Sequence, residues 1–276
     1  MYRMLLHTQK SPSVKILENL LFIKLGGSFI TIKEKPFTID YKALESAVKI
    51  LRRISNKYKI LLGHGGGSFA HPIVSLIKEY GDDKKTIIYC QQATRLLNKI
   101  VVDTLLENGL PAIQAQTSMI ISYSRERGYE INTTPLEIAL NHNIIPVVYG
   151  ECILDERKVY RVVSTEEVFK LLVEKLKPRQ IIFIERVEGV FNKDPLKYKD
   201  AELIKEINKD NYKDILGLLS SKSYIDVTGG MYTKVSLAVE IARKHNIPSI
   251  IVSGFDVDNV VRAIEGKEFY GTLIHW

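Results

Sequence analysis

The chain has 276 residues, 45% of them hydrophobic, enough for one large α/β domain or two modest ones and too apolar for a disordered chain. Its 39 basic and 32 acidic residues give a net charge of +7, spread without the Lys/Arg block or aromatic interleaving of a nucleic-acid groove, so no nucleic acid is expected, only a bias toward small anions. Residues 1–19 lack the apolar stretch and cleavage site of a signal peptide, and no run approaches the roughly 20 apolar residues that span a bilayer. The two cysteines, Cys90 and Cys152, are far apart in sequence; a disulfide framework and a four-cysteine metal site are both set aside, and a reducing cytoplasm is expected.

In chain order, apolar runs bounded by Gly, Pro or Asn at Leu20–Leu25, Ile60–Leu62, Ile144–Tyr149, Gln180–Ile184 and Ser249–Val252 read as strands buried on both faces. Helical segments lie between them. Tyr41–Tyr58 carries Leu44, Val48 and Leu51 on one stripe behind Asp40 as N-cap, and Ala93–Asn108, Ser164–Leu176 and Thr233–His245 read similarly. Such alternation predicts an α/β fold with a mostly parallel open sheet covered on both sides, its ligands at the carboxyl ends of the strands. Residues 153–163 break the rhythm and read as a hairpin turning at Asp155–Lys158. The Lys- and Asp-rich stretch Phe191–Asp214 reads as an irregular excursion with a short helix.

Two strand exits carry the chemistry: Ile23-Lys24-Leu25-Gly26-Gly27-Ser28 and Leu62-Gly63-His64-Gly65-Gly66-Gly67-Ser68-Phe69-Ala70-His71. Glycines at a strand exit leave backbone N–H groups free to face an anion. Two such cradles in one chain point to two phosphates meeting, and Lys24, Lys33 and His71 beside them supply the cations that phosphoryl transfer needs. Neither loop is a Walker A sequence, and a dinucleotide fingerprint starting at Gly63 puts Ser68 at its third glycine. His64 and His71 lack a third ligand, which sets zinc aside. Taken singly, Lys24 and Lys33 also fit surface lysines, His71 a helix cap, Gly229-Gly230 a turn, and Glu166 and Glu167 plain first-turn carboxylates.

Read together, these residues resemble the amino acid kinase superfamily, most closely the isopentenyl phosphate kinases. The resemblance rests on Lys24–Lys33, His64–Pro72, Gly109-Leu110-Pro111-Ala112, Gly189–Pro195 and Asp226–Lys234 in that order, with the histidine ending the second loop setting this group apart from uridylate kinases. It implies a three-layer αβα sandwich over residues 20–276, with 1–19 as an extension, the acceptor part over about 20–176 and the nucleotide part over about 177–276. It also implies ATP as co-substrate, Mg²⁺, an isoprenoid monophosphate as acceptor, and a homodimer.

By that resemblance Lys24, Lys33, His71, Glu166 and Lys234 form the catalytic set. Gly65, Gly66 and His71 hold the acceptor phosphate, and Cys152 and Val162 border its tail. The ATP side comprises Lys24, Gly26, Gly27, Ser28, Gly66, Gly67, Arg186, Gly229, Gly230 and Lys234. The chain departs from the family pattern at Glu151 and Glu166, each in place of aspartate, at Ala70 in place of glycine, and at Glu185-Arg186-Val187-Glu188-Gly189 in place of Thr-Asp-Val-Asp-Gly. Arg186 there could meet a nucleotide phosphate or pair with Glu185. A kinase for another small phosphate or phosphonate, and a non-catalytic phosphate-binding homologue, remain alternatives.

Overall fold

The computed structural model describes residues 17, 19–70, 72–73, 84–195, 197–220 and 230–276. The N-terminal extension is thus largely outside the described residues, as are His71 and the stretch 221–229.

The strands are β1 Leu20–Leu25, β2 Lys59–His64, β3 Ala112–Gln114, β4 Ile121–Ser124, β5 Gly128–Ile131, β6 Ile145–Tyr149, β7 Glu151–Asp155, β8 Val159–Val163, β9 Gln180–Glu185, β10 Val190–Phe191, β11 Leu203–Ile204, β12 Glu206–Ile207, β13 Ser249–Ser253 and β14 Thr272–Ile274. The helices are α1 Gly27–Ile30, α2 Tyr41–Ile54, α3 Lys84–Glu107, α4 Thr117–Ile120, α5 Thr134–Asn141, α6 Thr165–Leu176, α7 Tyr212–Ser220, α8 Gly230–His245 and α9 Val257–Ile264. One sheet runs β12-β14-β13-β9-β1-β2-β6-β3, parallel except at β13–β14. The five strand readings fall on β1, β2, β6, β9 and β13, and Asp40 caps α2 by accepting from Ala43 N at 3.2 Å.

All six residues of β1 are buried, and the five apolar ones divide by parity between two cores. Leu20 and Phe22 join one core with Val168, Phe169 and Leu172 of α6 and Val235 and Ala238 of α8. Leu21, Ile23 and Leu25 join the other with Leu44 and Val48 of α2, Leu97 and Val101 of α3, and Val260 of α9. A strand's side chains alternate between faces, so an uninterrupted apolar run is the sequence of a strand with a helix layer on each side. The sandwich follows from that.

The 153–163 hairpin is β7–β8, antiparallel with Cys152 opposite Val162. It belongs to a second sheet, β5-β4-β7-β8, whose β4–β5 hairpin the sequence reading did not identify. The 191–214 excursion contains β11, which pairs with β10, and β12, which pairs with β14 near the C-terminus, before entering α7, so it adds an edge strand to the main sheet.

The cysteine reading needs correction. Cys90 on α3 and Cys152 on β7 form a disulfide across 62 residues of sequence, with Cα atoms 6.2 Å apart. Helix α3 crosses over β7, where Gln91 Nε2 also donates to Cys152 O at 2.9 Å, and this crossing is invisible to sequence spacing. By loop-closure entropy, a bridge of this span stabilises the fold by about 4 kcal/mol. Denaturant unfolding with and without reductant should differ by that order; equal stability in both conditions would contradict the bridge.

Candidate active site

β1, β2 and β9 run parallel with their ends level, Leu25 opposite both His64 and Ile184. The loops leaving β1 and β2 therefore emerge side by side, and glycine lets them close to backbone contact. A Cβ on Gly27 would lie 2.5 Å from Gly67 N, and one on Gly65 would lie 2.8 Å from Gly27 N. Gly67 has φ +48°, a left-handed conformation that glycine adopts without penalty, and a Cβ there would lie 2.1 Å from Thr31 Oγ1. Thr31 fastens the two loops together: its hydroxyl donates to Gly27 O at 2.7 Å and accepts from Ser68 N at 2.9 Å. Both loops border one cleft of about 1040 Å³, through Gly27 and Ser28 on one side and Gly65, Gly66 and Gly67 on the other.

Lys24, Lys33, Glu166, Arg186, Gly230 and Lys234 line the same cleft. Strand parity explains part of this convergence. Lys24 follows Leu20 and Phe22 onto the face covered by α6 and α8, and Glu185 follows Ile181 and Phe183 onto that same face. There four buried charges alternate. Glu166 Oε1 lies 2.5 Å from Lys24 Nζ, and Glu185 Oε1 lies 3.7 Å from Lys24 Nζ and 2.7 Å from Lys234 Nζ.

Burial disfavours the charge on Lys24, but Glu166 and Glu185 outweigh it and hold the pKa above the usual lysine value. Burial likewise works against ionised Glu166, and Lys24 and Lys234 overcome it to hold that carboxyl below its ordinary range. Glu166 is placed by the start of α6. Ser164 accepts from Glu167 N while Glu167 accepts from Ser164 N, a capping box, and Thr165 Oγ1 donates to His64 O at 2.6 Å and accepts from Gly150 N at 2.9 Å. One threonine thus ties the second loop to the helix that carries Glu166.

Arg186 lines the cleft, but its partners are not those of the lysines. Its Nη2 donates to Asp40 Oδ2 at 2.7 Å and its Nε to Ser28 O at 2.9 Å, with the guanidinium 5.4 Å from the Phe255 ring centre. Glu185 pairs with the lysines and not with Arg186. Cys152 and Val162 stand side by side on the hairpin, Cys152 buried and Val162 exposed, and neither borders the cleft. Gly26 lies against the carboxylate of Glu185. His71 and Gly229 are outside the described residues. The reading from sequence missed Thr31, Asp40 and Glu185 as site residues; the alternation Ile181, Phe183, Glu185 was the signal available for the last.

The fold and the paired loops define a small-molecule kinase scaffold, and the sequence profile of the Amino acid kinase family matches residues 19–253. The chain belongs to that family. Within it, the chain is 30% identical to an isopentenyl phosphate kinase of Methanocaldococcus jannaschii over 92% of its own length and 98% of that protein's. It is 32% identical to one of Methanothermobacter thermautotrophicus over the same shares. The solved structures of isopentenyl phosphate kinase include one that superposes with a TM-score of 0.76 at 26% identity, covering 92% of this chain and 99% of that one.

His64 supplies a pH test of the loop base. It is fully buried and stacked on Tyr149, its Nδ1 3.1 Å from Gly65 O and its Nε2 3.1 Å from Asn98 Nδ2, and burial pushes its pKa down to about 4 from 6.5. Between those values the unfolded chain binds a proton that the folded chain refuses, so stability falls as pH falls, by up to about 3 kcal/mol. Unfolding free energies for the wild type and His64→Asn across pH 4 to 7 should show that slope in the wild type and a shallower one in the variant; parallel profiles would contradict it.

Proposed function

We propose that the protein catalyses ATP-dependent phosphorylation of isopentenyl phosphate to isopentenyl diphosphate. The observation that carries this reading is the backbone contact between the two glycine loops over a cleft lined by Lys24 and Lys234. The relatives and the solved structure support the substrate. An acceptor that is already a phosphate monoester has a second pKa near about 6 and is largely dianionic at neutral pH. No general base is needed, and the barrier is repulsion between two anions, which fixed cations and N–H donors relieve.

In this reading Lys24 and Lys234 neutralise the donor phosphates, and Lys33 stabilises the group in transfer. The N–H groups of Gly65 and Gly66 hold the phosphates of the two substrates, with Gly26, Gly27, Ser28, Gly67, Gly229 and Gly230 around the nucleotide. His71 holds the acceptor phosphate, and Glu166 orients Lys24. Arg186, held by Asp40, braces the first loop at the nucleotide side through the Ser28 carbonyl. By the family resemblance Cys152 and Val162 would border the acceptor's tail, but neither lines the described cleft and Cys152 is held in the disulfide with Cys90.

Among the five carboxylates lining the cleft, Glu166 and Glu185 are taken by lysines, Asp40 by Arg186 and Asp194 by Lys197, and with Glu34 they form no cluster of three that could hold a metal ion among the described residues. That donor set fits Mg²⁺ carried in on the nucleotide's phosphates, where it adds positive charge, better than a protein-built metal cage. Residues of about 20–176 would serve the acceptor and about 177–276 the nucleotide. A cytoplasmic enzyme, where ATP is supplied, and a homodimer are the expected setting and assembly; the Cys90–Cys152 bridge does not add to the case for a reducing compartment. Among the described residues no helix is long and apolar enough to cross a membrane.

ADP release with isopentenyl phosphate, dimethylallyl phosphate and uridylate as acceptors tests the reading. Turnover is expected on the first two; turnover on uridylate alone, or on none, would overturn it. His71→Ala should raise the acceptor KM at least about tenfold, the worth of a hydrogen bond to a charged group, and leave the ATP KM near its wild-type value. An unchanged acceptor KM would remove His71 from the acceptor site.

A further inference from the structure

Glu185 has a role that the transfer chemistry does not require of it. Its Oε1 is fully buried between two ammonium groups, Lys234 at 2.7 Å and Lys24 at 3.7 Å, the second beyond hydrogen-bonding distance. One anionic oxygen shared between two lysines, held by charge more than by direction, is how a phosphate oxygen sits between cations. The carboxylate lies directly beneath the first loop: a Cβ on Gly26 would come within 2.2 Å of Glu185 Oε2, so a side chain at position 26 would displace it.

Glu166 and Glu185 also differ in what they do. Glu166 serves Lys24 from the capped start of α6, at hydrogen-bonding distance. The ion pair of Lys234 is to Glu185. Without Glu185, two lysines, each with a side chain 7% exposed, would share one carboxylate, a costly arrangement for buried like charges.

We propose that Glu185 is an internal stand-in for a donor phosphate. As a positioning residue it holds Lys24 and Lys234 around one anionic oxygen before nucleotide binds, and surrenders both to the nucleotide's phosphate oxygens. This inference rests on the kinase reading above. Its consequence is a trade: the lysines are ordered in advance, and the nucleotide must displace an anion to reach them. Removing the charge while keeping the shape should then tighten nucleotide binding, the opposite of what removing a ligand-holding group does. A unit charge a few ångströms from a phosphate, at an effective permittivity of about 20, is worth more than a factor of ten, and some of that is lost with the ordering.

Calorimetry with a non-hydrolysable ATP analogue and Mg²⁺, on the wild type, Glu185→Gln and Glu185→Thr, tests the proposal. Both variants should bind the analogue about tenfold more tightly than the wild type. Their melting temperatures without nucleotide should fall, their nucleotide-induced rise should exceed that of the wild type, and the acceptor KM should not change. Equal or weaker binding by a folded variant would overturn the proposal, and so would failure of both variants to fold, which would assign the carboxylate to the fold. Wild-type protein that binds no analogue would instead sink the kinase reading, and this inference with it.

Discussion

Backbone contact between two glycine loops is the constraint on which the site depends. It exists because β1 and β2 are parallel neighbours that end level, and because neither Gly27 nor Gly65 carries a side chain to hold the loops apart. Thr31 then locks the pair through both of its hydroxyl hydrogen bonds. In the proposed reading, two phosphates held by these loops are forced together, and the site must meet the electrostatic cost of that approach.

Strand parity meets this cost. The alternation that buries Leu20 and Phe22 sends Lys24 to the same side, and the alternation in β9 brings Glu185 to face it. Helices α6 and α8 close that side and add Glu166 and Lys234. Four buried charges of alternating sign balance one another; deleting one partner of such a buried set typically costs about 3–5 kcal/mol. The cluster is therefore part of the core as well as part of the site. The conflict between folding, which favours neutrality, and anion binding, which favours net positive charge, is settled here in favour of neutrality.

Much of this was legible in the chain. Buried parallel strands announce themselves as unbroken apolar runs, so β1 was found at its observed ends, and the Asp40 cap and the β7–β8 turn follow from local chemistry. The glycine loops and the lysines beside them were visible for the same reason: their conformational needs are written in adjacent residues. What escaped depends on contacts distant in sequence. Nothing near Cys90 points to Cys152, the β4–β5 hairpin has weak alternation, and the contact of Arg186, read as a nucleotide phosphate or Glu185, is with Asp40, 146 residues away. Glu185 was missed although the alternation Ile181, Phe183, Glu185 carries it onto the face of Lys24.

The most direct test of direct transfer between adjoining loops is the stereochemical course at phosphorus. With ATP whose γ-phosphate is made chiral by oxygen isotopes, a single in-line displacement onto isopentenyl phosphate inverts the configuration, and inversion is the predicted result. Retention would mean two displacements through a phosphorylated protein group, and would contradict the account of two phosphates meeting directly across the paired loops.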